Sequence, residues 1–417
     1  MKIGLFTDTY HPSMNGIIVV VDIMKQNLEA LGHEVYIVAP ASSLRWWRFP
    51  EKHVIRFAGV RGLFFSESMQ SIFFPPKQRR RIAKLGLDAI IFFTPAQIGL
   101  MGAYVAISEG IPLIAQYSTD LAEYAEHYPA LMPGVLALST TLPFVLRSKP
   151  IDLIKVTKKL VMDNDDKTSW QAYTAQVIMT FLHNSCDAVV SVSPKVTEML
   201  EAWDTTSLIE LIPTGVDPGE INPKKVVNLR NKYGLKTSDI VLLSLGRVAK
   251  EKNIDLLIDA LPEVLKSVPN TRLVIVGDFD YRHILEKKVK SMNLSKAVVF
   301  TGRVSLIDRW DYYALADIFC FPSLTDTQAL VVNEAALVGL PIVWCDNDIN
   351  EVLQDKVSGL HSPPKPRAYA SALVELAKDE KLRKRYGHNA LTRAKKISEK
   401  NQTLKMVKLI EKLKKLK

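Results

Sequence analysis

Four charged side chains in the second half of the chain stand in or beside segments that read as strand, loop and helix: Arg247, Lys252, Asp326 and Glu334. Ile318 to Phe321 is an apolar run closed by Pro322 and Ser323, a polar loop follows from Thr325 to Gln328, and Leu330 to Val338 carries apolar residues at helical spacing until Gly339-Leu-Pro341. Strand, loop and helix in that order put the loop at a strand's carboxyl end, where the crevice of an open α/β sheet lies. The first N–H groups of the helix, at Leu330 and Val331, have no partner within it, so an anion is expected there. Asp326 falls in the loop, and Glu334 stands eight residues later, about two turns along. On spacing alone the two acids also fit a helix N-cap and a surface glutamate. Arg247 and Lys252 follow a second apolar run, Ile240 to Leu245, and stand at the entry to a helical segment, Ile254 to Lys266. Taken singly, such cations also fit solvent-facing positions.

The elements that must position these groups alternate along the chain. Lys2 to Thr7 is apolar, Asp8 to Gly16 is a loop containing Asn15-Gly16, and Ile17 to Leu31 is helical and stops at Gly32. That is the order of a phosphate cradle, although Asn-Gly also makes a plain turn and the G-x-G-x-x-G dinucleotide fingerprint is missing. Ala89 to Phe93 and Pro112 to Gln116 read as strands around a helix, and the second ends in Tyr117-Ser118-Thr119-Asp120. Leu44 to Phe74 is rich in Trp and Phe and leads into Arg79-Arg80-Arg81. This reads either as core strands with a solvated basic helix or as an interfacial patch that meets acidic headgroups. Residues 134–162 mix apolar blocks with Arg and Lys and read as helices. Thr403 to Lys417 is a basic amphipathic segment, for packing on the protein or for lying on a membrane.

The composition bounds these readings. A chain of 417 residues, 47% hydrophobic and 24% charged, can build two domains with substantial cores. Cys186, Cys320 and Cys345 have neither paired nor C-x-x-C spacing, which indicates reduced buried thiols in a cytoplasmic setting and no metal site. No signal-type or membrane-spanning apolar segment is expected. The net charge of +10 favours an anionic partner, and without a zinc-finger or RNP-like pattern nucleic acid is not expected.

The segment from Ser323 to Val343 resembles the E-x7-E segment of retaining glycosyltransferases of family four, and Gly246-Arg247 to Lys252 resembles that family's G-R-x-x-x-x-K motif. The opening TDTYHPSMNG and LEALGHEVYIVAP, and the crossing Ile209 to Asp217, resemble the same family, as found among diacylglycerol glucosyltransferases and phosphatidylinositol mannosyltransferases. The resemblance covers most of the chain and is weakest over 129–180. It implies the GT-B fold: two doubly wound, Rossmann-like α/β domains facing across a cleft, with a last helix crossing back to the first. The expected division is an acceptor domain at 1–212, a donor domain at 213–390 and the terminal helix at 391–417.

It further implies transfer of a hexosyl group from a nucleotide-diphosphate sugar to a lipid or glycan hydroxyl, with retention, and no metal or cofactor besides the donor. The enzyme would be cytoplasmic, with possible peripheral contact to an anionic membrane at Arg79, Arg80 and Arg81. Arg247 and Lys252 would clamp the diphosphate with the backbone at Gly16, Leu330 and Val331, and the turn at Arg303 would flank the nucleobase. Asp326 would orient the sugar, Glu334 the ribose, and Asp120 and Ser118 the acceptor. The chain departs from the family at Asp326 for Glu, Ala329 for Gly and Ser118 for His. These departures admit an alternative: a degenerate member that binds sugar nucleotide or a partner enzyme without turnover.

Overall fold

A computed structural model describes residues 1–12, 16–41, 51–61, 69–71, 76–118, 120–127, 132, 142–143, 145–146, 169–349 and 351–417. Asn15, Thr119 and most of the aromatic run, including Trp46, Trp47, Phe64 and Phe73, lie outside the described residues, as does most of 129–168. Phe57 of that run is a core side chain.

The chain forms two units, Met1–Gly215 with Glu399–Lys417, and Val216–Ser398. The first contains β1 (Lys2–Phe6), α1 (Gly16–Ala30), β2 (Glu34–Pro40), β3 (Val54–Phe57), β4 (Gly59–Arg61), β5 (Met69–Ser71), α2 (Pro76–Ala83), β6 (Ala89–Phe92), α3 (Gln97–Glu109), β7 (Leu113–Gln116) and α4 (Leu121–His127). It continues with α5 (Trp170–His183), β8 (Ala188–Ser191), α6 (Pro194–Ala202) and β9 (Leu208–Leu211). Seven strands form a parallel sheet in the order β3-β2-β1-β6-β7-β8-β9, and β4 and β5 make a separate antiparallel ribbon. Strands such as β6 (AIIF) are buried along their whole length, as strands covered on both faces must be.

Strand order reverses at β1, which pairs with β2 on one side and β6 on the other. Asp8 fixes the loop that leaves this point. Its carboxylate accepts the N–H groups of Ile98 (2.7 Å) and Gly99 (3.2 Å) in the first turn of α3, and the Thr94 hydroxyl (2.7 Å).

The second unit contains α7 (Pro223–Lys232), β10 (Ile240–Leu245), α8 (Ile254–Ser267), β11 (Thr271–Val276), α9 (Arg282–Ser291), β12 (Val298–Gly302), α10 (Arg309–Ala314) and β13 (Ile318–Phe321). It ends with α11 (Leu330–Leu337), β14 (Ile342–Trp344), β15 (Gly359–His361), α12 (Pro366–Lys378) and α13 (Glu380–Ala394). Its six strands run β12-β11-β10-β13-β14-β15, all parallel, so the reversal falls at β10. Apolar clusters cover both faces, one built on Leu257, Leu261 and Tyr369 and the other on Phe319, Tyr313 and Trp344.

The last helix, α14 (Glu399–Lys414), belongs to the first unit. Residues 391–394, which the sequence assigned to the terminal helix, are the end of α13. Met406, Leu409, Ile410 and Leu413 of α14 are buried, Asn27 of α1 bonds Glu399 at 2.8 Å, and Lys417 Nζ lies 2.9 Å from Asp187. The apolar stripe is therefore spent on packing against the protein, which corrects the membrane-lying alternative for this helix. Among the described residues no helix is long and apolar enough to cross a membrane.

Candidate active site

In an open parallel sheet, ligands bind beyond the carboxyl ends of the strands where the order reverses. In the second unit that place lies beyond β10 and its neighbours β11 and β13. The backbone there is tightly crossed. Gly246 N–H bonds Val276 O and Gly277 N–H bonds Gly302 O, both at 3.0 Å. A Cβ on Gly277, whose φ is +130°, would sit 1.8 Å from Gly246 O. Only glycine permits that approach.

Arg247 follows Gly246. Its Nη2 donates to Glu251 at 3.0 Å, and its guanidinium lies over the Phe279 ring, 5.1 Å from the centroid. Lys252 closes a short 3-10 turn, Lys250–Lys252, and Asn253 follows at φ 54°, with its amide donating to Pro322 O at 3.1 Å. Asn253 thereby ties the loop after β10 to the loop after β13. Across this junction Lys252 Nζ donates to Asp326 Oδ1 at 2.6 Å. Asp326 Oδ2 and Ser323 Oγ are both buried, and the Ser323 hydroxyl acts on the Asp326 carboxyl. Burial raises the Asp326 carboxyl, but the Lys252 charge and hydrogen bond outweigh it and hold the group below the ordinary aspartate value.

Ala329 precedes α11 at φ 58°, ψ 67°, the left-handed region where a glycine is unstrained and an alanine is not. No side chain caps α11, so the Leu330 and Val331 N–H groups open the helix. Glu334 is almost fully buried. Arg309 Nη2 lies 2.9 Å from Oε1, and the Tyr313 hydroxyl donates to Oε2 at 2.7 Å. Burial pushes the Glu334 carboxyl up, against the pull of Arg309 and Tyr313. Burial likewise raises the Tyr313 hydroxyl well above the usual phenol range, with Glu334 beside it. Arg303 is exposed in the loop after β12.

In the first unit, Gly16 is the exposed first residue of α1, and a Cβ built on it meets nothing within 4 Å. Ser118 Oγ, beyond β7, is buried without a partner, while Asp120 Oδ1 accepts the Ala122 N–H at 3.0 Å at the start of α4. On α2, Arg79 is drawn onto α3: its Nη1 donates to the Tyr104 hydroxyl at 2.7 Å and its guanidinium lies over that ring. Arg80 and Arg81 are exposed.

Sequence reasoning brought Arg247, Lys252, Asp326 and Glu334 to one unit and missed the residues that hold them: Glu251, Phe279, Asn253, Arg309 and Tyr313. Spacing gives no signal for contacts such as Tyr313 to Glu334, which join two helices. Among the described residues no group of three or more His, Cys, Asp or Glu could hold a metal ion.

Comparison with known proteins agrees with the two-unit architecture. Residues 14–220 match Glycosyltransferase Family 4, and residues 226–393 match Glycosyl transferases group 1. The chain is 28% identical over 365 residues to the alpha-monoglucosyldiacylglycerol synthase of Streptococcus pneumoniae, covering 86% of this chain and 74% of the relative. It is 27% identical over 367 residues to the enzyme of the same name from Acholeplasma laidlawii, covering 86% and 84%. Among solved structures, Anabaena HepE in complex with UDP superposes with a TM-score of 0.72 at 17% identity, over 99% of this chain and 100% of that one. Sucrose-phosphate synthase from Thermosynechococcus elongatus gives 0.71 at 18%, over 100% of both. With two doubly wound parallel sheets, and both halves matched in order, the chain belongs to the family 4, group 1 glycosyltransferases, GT-B enzymes that transfer a sugar from a nucleotide sugar.

Proposed function

We propose that this chain moves a hexosyl group from a nucleotide-diphosphate sugar to a lipid hydroxyl with retention, giving an α-glycoside. The bond between the anomeric carbon and the diphosphate oxygen breaks. A bond from the acceptor oxygen to the same carbon forms on the same face, and the hydroxyl proton ends on the departing diphosphate. The observation that carries the reading is the contact of Lys252 with Asp326, which joins a cation suited to the leaving group to an acid suited to the sugar.

The difficult feature of the step is negative charge growing on the diphosphate. Arg247, Lys252 and the N–H groups of Leu330 and Val331 would stabilise it, and donors of this kind are each worth roughly 2.7–4 kcal/mol. Gly16, with open space at the start of α1, would admit a phosphate close to the backbone. Asp326 would orient the sugar through Oδ2, Glu334 would take the ribose, and the turn carrying Arg303 would flank the base. Ser118 and Asp120 would meet the acceptor. This assignment involves no metal.

A lipid acceptor is favoured by the two relatives named alpha-monoglucosyldiacylglycerol synthase, each matched over 86% of this chain. Arg80 and Arg81, exposed on α2, would draw the enzyme to an anionic membrane from the cytoplasmic side; a glycan acceptor needs no such contact. A second reading, donor binding without turnover, draws on the shorter Asp326 and the absence of histidine at Ser118. A panel of UDP-, GDP- and ADP-sugars with diacylglycerol in anionic vesicles separates them. The proposal expects nucleoside diphosphate release coupled to glycolipid; binding with no release from any donor selects the second reading.

A further inference from the structure

Glu334 poses a problem of its own, because both its oxygens are already engaged by α10. Arg309 holds Oε1 and Tyr313 holds Oε2, and these donors are four residues apart, so they project from one face of that helix. A buried carboxylate is costly unless it is paired and hydrogen-bonded, and apolar residues of similar volume would usually serve packing better. The arrangement is also fixed from behind. Arg309 Nη1 donates to Leu306 O at 2.5 Å, and its guanidinium lies 5.4 Å from the centre of the Trp310 ring. An ionised carboxylate has about four acceptor directions, and Arg309 and Tyr313 occupy two.

We infer that Arg309 and Tyr313 are positioning residues for nucleotide recognition: they hold the Glu334 carboxyl so that its two remaining acceptor directions meet the vicinal ribose hydroxyls of the donor. The inference rests on the assignment of Glu334 to the ribose made above. Apolar side chains pack around α11, among them Phe319 and Phe321 from β13, Ile342 and Trp344 from β14, and Ala390 and Ala394 from α13. Arg309 and Tyr313 are the side chains whose charge and hydrogen bonds act on the Glu334 carboxyl, and both oppose the burial that favours its protonated form. Removing Arg309 takes away one of the groups that oppose burial, so the Glu334 carboxyl should move further up.

The test is calorimetric binding of UDP and GDP, and of their 2′,3′-dideoxy counterparts, to the full chain between pH 6 and 9. Wild type should prefer the ribonucleotide by roughly tenfold or more, the range for a hydrogen bond to a charged group. Arg309→Met should lose most of the preference, more so at the acid end of the interval, and Arg309→Lys should restore much of it. Tyr313→Phe, a milder change, should lower the preference at every pH. If Arg309→Met and Tyr313→Phe keep the wild-type preference throughout, the triad is only a staple between α10 and α11 and the inference fails. Equal binding of ribo and dideoxy forms by wild type overturns it too, while leaving the diphosphate clamp standing. No binding of either diphosphate by wild type removes the donor reading, and this inference with it.

Discussion

Lys252 Nζ and Asp326 Oδ1 lie 2.6 Å apart although the residues are separated by 74 positions in the chain. The contact joins the loops that leave two adjacent strands, β10 and β13. An ammonium has three donors, so Lys252 can bond Asp326 and a diphosphate oxygen together. One cation would then couple the group that leaves to the acid that orients the sugar.

Replacing Arg247 or Lys252 by Ala should weaken nucleoside diphosphate binding by about 1.5–3 kcal/mol. Lys252→Ala should also destabilise the fold by about 1–3 kcal/mol, because Asp326 keeps its burial and loses its counter-charge. Calorimetry with denaturant melts checks both, and unchanged affinity in both variants with the fold intact contradicts the assignment.

The same pair sets a pH dependence. The Asp326 carboxyl is held below the ordinary value of 3.8, so its stabilising effect is present above that value and is lost as pH falls through the lower, folded value. The stability gap between wild type and Asp326→Asn should therefore be widest near neutrality and close as pH drops below 3.8. Denaturant titrations at a series of pH values would show it; a gap that widens in acid gives the wrong sign.

Ala329→Gly should stabilise the second unit. An alanine at φ 58° costs about 1–2 kcal/mol, and the extra backbone entropy of a glycine returns about 0.5–1 kcal/mol of that. The net gain should be up to about 1.5 kcal/mol by chemical denaturation, and a loss of stability would show that the Ala329 methyl packs better than its backbone strain suggests. Gly277→Ala should do the reverse, at a cost of at least about 2 kcal/mol, because its Cβ has no room beside Gly246 O.

Much of this was legible in the sequence, and the limits are physical. Continuous apolar runs such as AIIF and IFCF mark strands buried on both faces, and the order strand, loop, helix locates the binding end of each sheet. Asp326 and Glu334 could be singled out because the segment that carries them resembles the family's E-x7-E segment; their separation alone also fitted an N-cap and a surface glutamate. Their partners could not, since Arg309 and Tyr313 reach Glu334 only once α10 packs against α11. The terminal helix was ambiguous for a related reason: an amphipathic stripe does not state which apolar surface it covers, and the buried Met406, Leu409 and Ile410 answer that. Arg79 read as one of three equivalent arginines, whereas its bond to Tyr104 sets it apart from Arg80 and Arg81.

That difference predicts how α2 meets lipid. Arg80→Glu with Arg81→Glu should abolish flotation with anionic vesicles at low salt and leave thermal stability unchanged, since both side chains are exposed. Arg79→Ala should lower stability through the lost Tyr104 contact. Equal flotation of wild type with anionic and neutral vesicles, or none with either, argues against the membrane contact.

The most direct measurement is the initial rate of hexosyl transfer to diacylglycerol for wild type, Asp326→Asn, Asp326→Glu and the double variant Asp326→Glu with Ser118→His. Wild type should form α-glycolipid, and Asp326→Asn should form none while binding nucleoside diphosphate nearly as well. Asp326→Glu should be slower than wild type, because a misplacement of about 1 Å at a reacting centre can cost on the order of a hundredfold. An inactive wild type beside an active double variant would contradict the account and leave a donor-binding fold without turnover.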